Sequence, residues 1–166
     1  MKKSLILISV IVTMISVIAC TKDQVKDTGV ADTGDAIVSA SNAQLAKYPV
    51  TGFAYKSSAI EPMKWSNWAR IAAPIVSGIL DKLPEGYAME VRGHTDSRGP
   101  EDPVGDKPGN MKISKDRAKA VYNALAGQGL KTGKITYRGV GSSEPLAGYA
   151  TDAAQQRRVT FVIVPK

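Results

Sequence analysis

A switch of periodicity between Gly93 and Val121, GHTDSRGPEDPVGDKPGNMKISKDRAKAV, constrains this chain more than any other stretch. Tyr87, Met89 and Val91 alternate with Ala88, Glu90 and Arg92 on the way into it, the period of a half-buried strand. From Ser97 to Asn110 there are three prolines and three glycines, so this segment is an irregular loop by construction. Beyond it Ala118, Val121, Tyr122 and Leu125 recur at helical spacing. Ser114 is the expected N-cap of that helix, which puts Arg117 in its first turn. An acid at a strand end, Asp96, thus faces a base at a helix start, Arg117.

The flanking residues set the fold class. Residues 49–60 hold a short strand centred on Phe53 and Tyr55. A helix follows over about Glu61 to Leu83, with Trp68, Ile71, Ala72, Ile75, Val76, Ile79 and Leu83 on its apolar face. Pro74 falls inside it and predicts a kink near Arg70. Trp65 and Trp68 read as core or helix-shoulder residues. Lys134 to Val140 is a third strand, a short helical turn begins near Asp152, and Arg157 to Val164 is a largely apolar last strand. The order β-α-β-α-β-β predicts an α/β (α+β) two-layer sandwich, a mixed four-stranded sheet with its helices on one face.

The N-terminal part has a different composition. Lys2 and Lys3 precede a nearly uncharged apolar run, Ser4 to Ala19, shorter than the roughly 20 residues that span a bilayer comfortably. Its end, Val17-Ile18-Ala19-Cys20, resembles the bacterial lipobox, which implies acylation of Cys20 (with palmitate among the acyl groups) and removal of residues 1–19. Thr21 stands where an Asp would signal inner-membrane retention, and this tilts the reading to the outer membrane. An uncleaved anchor, or a secretory signal with a chance cysteine, fits the same residues. Residues 20–47 are small and polar without a clear period, so they read as the lipidated cysteine and a flexible tether, leaving 48–166 as the folded domain. Net charge is +7, and losing the two lysines of the leader lowers it to +5. The basic residues form no block, which argues against nucleic acid and fits an anionic polymer or membrane surface. With one cysteine and one histidine, an internal disulfide and a His/Cys zinc cluster are excluded.

Helix starts attract anions, so a cation in the first turn is mildly unfavourable, by roughly 0.3–1 kcal/mol. A bound carboxylate would relieve that clash, since a guanidinium holds carboxylates in a two-pronged grip. Asp96 offers the opposite sign to an ammonium. Together they would read an amino-acid head group. Spacing alone favours a plainer alternative, a solvated arginine on a helix surface and an aspartate capping a turn.

Four motifs in order, GHTDSRG, NMKISKDRAKAV, ITYRGVGSSEP and QQRRVTFVI, resemble the successive signatures of the OmpA-like C-terminal domain family. That family includes peptidoglycan-associated lipoproteins and the periplasmic part of flagellar stator proteins, and the likeness covers roughly Val50 to Val164. It implies non-covalent binding of the peptidoglycan stem through its diamino acid, gripped by Asp96 and Arg117, with Asn110 and one or both of Arg157 and Arg158 bordering the pocket. Two features depart from the family pattern. The loop between Asp96 and Asn110 is about six residues longer than the short family form, so Glu101, Asp102 and Asp106 could tune preference for the stem's amine. Lys56 stands where the family shows an acid or amide.

Two rival readings remain. His94 and Asp96, two residues apart, could be pictured as a catalytic pair, but no convincing nucleophile and no nucleophile elbow appears. A surface lipoprotein acting mainly through protein–protein interaction or adhesion would use the same anchor and tether. The expectation is therefore a non-enzymatic, cofactor-free lipoprotein of the outer membrane. Its domain faces the periplasm, with peptidoglycan, the membrane and further envelope proteins as partners.

Overall fold

The structure, a computed structural model, describes residues 33–166. The apolar leader and Cys20 lie outside the described residues. The elements are α1 (Thr33–Leu45), β1 (Val50–Thr51), α2 (Pro62–Lys82), β2 (Tyr87–Gly93), α3 (Asn110–Gly127), β3 (Ile135–Gly139) and β4 (Arg158–Pro165). The strands form one mixed sheet in the order β1-β4-β2-β3, with β2 parallel to β3 and β4 antiparallel to both its neighbours. This is the sandwich expected from the sequence, with one helix added at the front.

Alternation along the strands separates the two faces of the sheet. Met89, Val91, Ile135, Val159, Phe161 and Ile163 turn one way and merge with Val76, Ile79 and Leu80 of α2 and Ala118, Val121 and Leu125 of α3 into a single core. The other face is polar: Glu90 and Arg92 pair at 2.8 Å, and Arg92 also reaches Glu144 at 3.1 Å. Glu61 caps α2, its carboxylate oxygens accepting the Met63 and Lys64 N–H groups at 3.0 Å. The helix runs unbroken through Pro74, which is exposed, so the carbonyl deprived of its helical partner faces water. Ile71, expected in the core, is 52% exposed. Trp68 stacks on Phe161 with ring centroids 5.4 Å apart and donates its indole N–H to the Tyr48 carbonyl, a core role.

Three expectations are corrected. Residues 33–45, assigned to the flexible tether, form α1, which buries Ser41 and Leu45 against the folded unit. Asn42 shows why the helix docks there: its amide accepts the Ile163 N–H at 2.7 Å and donates to the Ile163 carbonyl at 3.4 Å. β1 is too short to pair that part of β4, so α1 covers an otherwise open sheet edge. Second, the first strand is Val50–Thr51 and stops before Phe53 and Tyr55, because Gly52 takes a φ of 90° and turns the chain.

Third, α3 begins at Asn110, four residues before Ser114. Its N-cap is Gly109, and the first free N–H groups are taken by the loop, Asn110 N–H by the Pro100 carbonyl (2.9 Å) and Met111 N–H by that of Glu101 (3.0 Å). Ser114 is fully buried where α3 crosses the sheet: its Oγ accepts the Gly141 N–H at 2.9 Å and donates to the Met111 carbonyl. Gly93 and Gly139, register partners on β2 and β3, permit this crossing. A Cβ on Gly93 would collide with the Ser114 carbonyl, and one on Gly139 with the Lys115 N–H.

Candidate functional site

The carboxyl end of β2 delivers His94, Thr95 and Asp96, all buried, to the place where α3 crosses the sheet. Asp96 Oδ2 accepts from Arg98 Nη2 and from Arg157 Nη1, each at 2.8 Å, and Oδ1 accepts the Arg98 backbone N–H at 3.2 Å. Burial alone would raise the Asp96 pKa, but these hydrogen bonds from Arg98 and Arg157 override it and hold the carboxyl below its usual range.

Arg117 lies two turns into α3, so the helix-start argument for its function does not hold. It is 1% exposed, and its guanidinium donates to three backbone carbonyls: Nε to Ser57 (2.8 Å), Nη1 to His94 (2.8 Å) and Nη2 to Ala54 (3.0 Å). Burial lowers its pKa to about 10, with Arg157 adding to the effect and Asp96 opposing it. Asp96 makes its ion pairs with Arg98 and Arg157, not with Arg117. Aspartate and arginine nonetheless line one cavity, together with Tyr55, Lys56, Thr95, Asn110, Ile113 and Arg157. Only about 10 Å³ of it is free. That is room for a water at most, so an amino-acid ligand needs a side chain to move.

The remaining expected residues divide. Asn110 opens α3 at the cavity wall and donates to Glu101 Oε1 at 3.2 Å. Arg157 is tied down twice, to Asp96 and through Nε to the Phe53 carbonyl at 2.8 Å. Arg158 is not at this cavity. Its guanidinium turns to the Glu144 carbonyl (3.0 Å) and to Gln156, as alternation along β4 dictates. It lines a separate, largely apolar groove of about 600 Å³ with Phe53, Leu146 and Tyr149. Among the loop acids, Glu101 is engaged by Asn110 and by the Ser142 hydroxyl and N–H, and so helps to fasten the long loop to the end of β3. Lys56 does line the cavity, at a φ of 57°, the one positive value among the described non-glycine residues.

Sequence reasoning missed Arg98 and Tyr55. Arg98 Cζ sits 4.3 Å from the Tyr55 ring centroid, and both side chains are exposed. The one available clue was the two-residue offset of Arg98 from Asp96, the spacing of an aspartate that accepts from its own chain. Gln156 was also missed; it is buried and bonds Leu146, Tyr149 and Ala150, shaping the loop before β4. His94 does not meet Asp96: its Nε2 lies 2.8 Å from Thr160 Oγ1, on the other side of the sheet end. No group of three His, Cys, Asp or Glu side chains among the described residues could hold a metal.

Residues 52–158 match the OmpA family. The chain is 36% identical over 92 residues to the probable lipoprotein YiaD of Escherichia coli K12, which is 54% of this chain and 39% of that protein. It is 28% identical over 106 residues to the outer-membrane lipoprotein YfiB of Pseudomonas aeruginosa, 63% of this chain and 56% of that one. The chain therefore spans only about two-fifths to somewhat over half the length of these two relatives. In fold it is similar to the peptidoglycan-associated lipoprotein of Burkholderia pseudomallei, with a TM-score of 0.56 at 22% identity, covering 77% of this chain and 99% of that one.

Proposed function

This chain belongs to the OmpA family, and from that premise we propose that it is an envelope protein that binds peptidoglycan without forming a covalent bond. The observation that carries the reading is the cavity that brings Asp96 and Arg117 together at the end of β2, inside the matched region. A guanidinium has five N–H groups. Three of those on Arg117 are engaged by backbone, which leaves two for a carboxylate entering the cavity. Asp96 serves the ammonium of the same head group. The ligand is the diamino acid of a peptide stem, and the role is binding, with no catalytic step.

The likeness to one protein named a probable lipoprotein and another named an outer-membrane lipoprotein supports a place at the outer membrane. With the lipobox-like end at Cys20, the reading becomes a lipid-anchored linker whose folded domain faces the wall.

The test is co-sedimentation of residues 21–166 with purified sacculi. Asp96→Asn is the informative variant, since it keeps the shape and the Oδ1 contact while removing the charge. Its apparent affinity should fall roughly ten- to a hundredfold, the worth of about 1.5–3 kcal/mol for a bond to a charged group. Arg117→Ala is a poor probe, because it strands three carbonyls and costs roughly 3–5 kcal/mol of fold stability. A folded wild type that stays in the supernatant would end the peptidoglycan reading and turn the search to a protein partner.

A further inference from the structure

The cation position at Asp96 is already filled by the chain itself. Two arginines share Oδ2, and they are held very differently. Arg157, whose side chain is 13% exposed, is fixed at both ends of its guanidinium, by Asp96 and by the Phe53 carbonyl. The Arg98 side chain is 45% exposed and rests on one ion pair and on the face of the Tyr55 ring. Arg157 is part of the scaffold, whereas Arg98 can swing into water without losing hydration.

We propose that Arg98 is an internal competitor for the ligand: its guanidinium occupies the seat that the ligand's ammonium takes, and binding exchanges one cation for the other. This rests on the peptidoglycan reading given above. The closed state of the site motivates the exchange, since about 10 Å³ of free space cannot admit an amino-acid head while every side chain stays in place. Arg98 stands outside the lining but holds Oδ2 of Asp96, which is part of it. Of the two arginines on that oxygen, Arg98 is the one whose departure costs less, because the incoming ammonium restores the charge pairing that Asp96 loses. Its departure also uncovers the Tyr55 ring, a surface against which the methylenes of a diamino acid can pack.

The surrounding charges then set specificity. Lys56, Arg117 and Arg157 face the same cavity, so the site is positive around its single acid. An ammonium arriving without a carboxylate is repelled by these three, and an anion without an ammonium leaves Arg98 in its seat. The ligand that displaces Arg98 carries both charges close together, as the free end of a diamino acid does.

The experiment is a pelleting titration of sacculi with wild-type residues 21–166 and with Arg98→Gln and Arg98→Ala. The free tripeptide alanyl-glutamyl-diaminopimelate serves as competitor, to confirm that the stem is what is bound. An exposed ion pair is worth about two- to fivefold in affinity, so both variants should bind at least that much more tightly, with unchanged melting temperatures. A side chain that merely supported the fold would weaken binding when removed, and would not strengthen it. Wild type that pellets while both variants bind equally or less tightly overturns the exchange and leaves the peptidoglycan reading intact. If no form pellets, that reading fails and the exchange fails with it.

Discussion

His94 and Asp96 leave the same strand two residues apart and are both buried, yet their surroundings treat charge in opposite ways. Asp96 has two guanidinium partners and keeps its charge. His94 has Thr160 against Nε2, with the nearby Arg158 and Arg92 repelling a proton. Burial, reinforced by those two arginines, pulls its pKa down to about 3. The folded protein therefore holds His94 neutral while the unfolded chain protonates it below about pH 6.5, so acid favours unfolding. The loss begins as pH falls through 6.5 and grows by about 1.4 kcal/mol per unit until the folded pKa is reached. Urea unfolding at pH 7 and pH 5 should show roughly 2 kcal/mol less stability at the lower pH on this account. Asp96 does not contribute over that interval, because a depressed carboxyl titrates lower still. His94→Gln should flatten the difference, and an unchanged slope in that variant would remove His94 as its cause. At this scale the sequence pattern put Asp96 just past the end of β2, where it lies, and put Arg117 a turn too near the start of its helix. Two of the three carbonyls that Arg117 meets, those of Ala54 and Ser57, depend on how the chain turns after Gly52, which no local pattern encodes.

Elements whose pattern was local were legible: β2, α2 and β4 lie within a residue or two of their expected bounds. The misplaced elements are those decided by contacts far along the chain. Ser114 looks like a cap, but the glycines of β2 and β3 draw it into a helix–sheet crossing, while carbonyls of the long loop cap the true start of α3. α1 carries only a thin apolar stripe, and its sequence resembles a tether until Ile163, over a hundred residues away, is placed beside Asn42. Intrinsic preference is a weak guide for such a segment, because packing against a partner supplies most helix stability. Asn42→Ala leaves the Ile163 N–H and carbonyl uncovered at the sheet edge. Equilibrium unfolding should show a loss of about 1–3 kcal/mol. Light scattering at high protein concentration should also rise, since an opened edge pairs with other chains. A variant as stable and as monodisperse as wild type would show that α1 covers nothing that matters.

Placing α1 in the folded unit changes what the whole molecule can reach. If Cys20 carries the proposed lipid, 20–47 as tether would put some twenty-seven residues between it and the folded domain; with α1 folded, twelve residues, 21–32, precede the helix. Chain geometry limits those twelve to roughly 40 Å, against about 90 Å for the longer segment. On the proposed lipid-anchored reading, a domain held so close to its membrane is concentrated against any wall within reach and is ineffective beyond it. On the same reading the small cavity at Asp96 gives weak single contacts, so retention on a polymer comes from many anchored copies acting together. Vesicles carrying residues 20–166 attached through an acylated Cys20 should therefore capture sacculus fragments at least about a hundredfold more tightly than soluble 21–166 does. Flotation of the vesicles with bound fragments measures this directly. Asp96→Asn should weaken both forms in proportion, because it acts on each contact, whereas diluting the anchored protein among plain lipid should erase only the gain. Capture that does not vary with surface density would mean that one contact suffices, and the proposed division of labour between anchor and cavity would have to be abandoned.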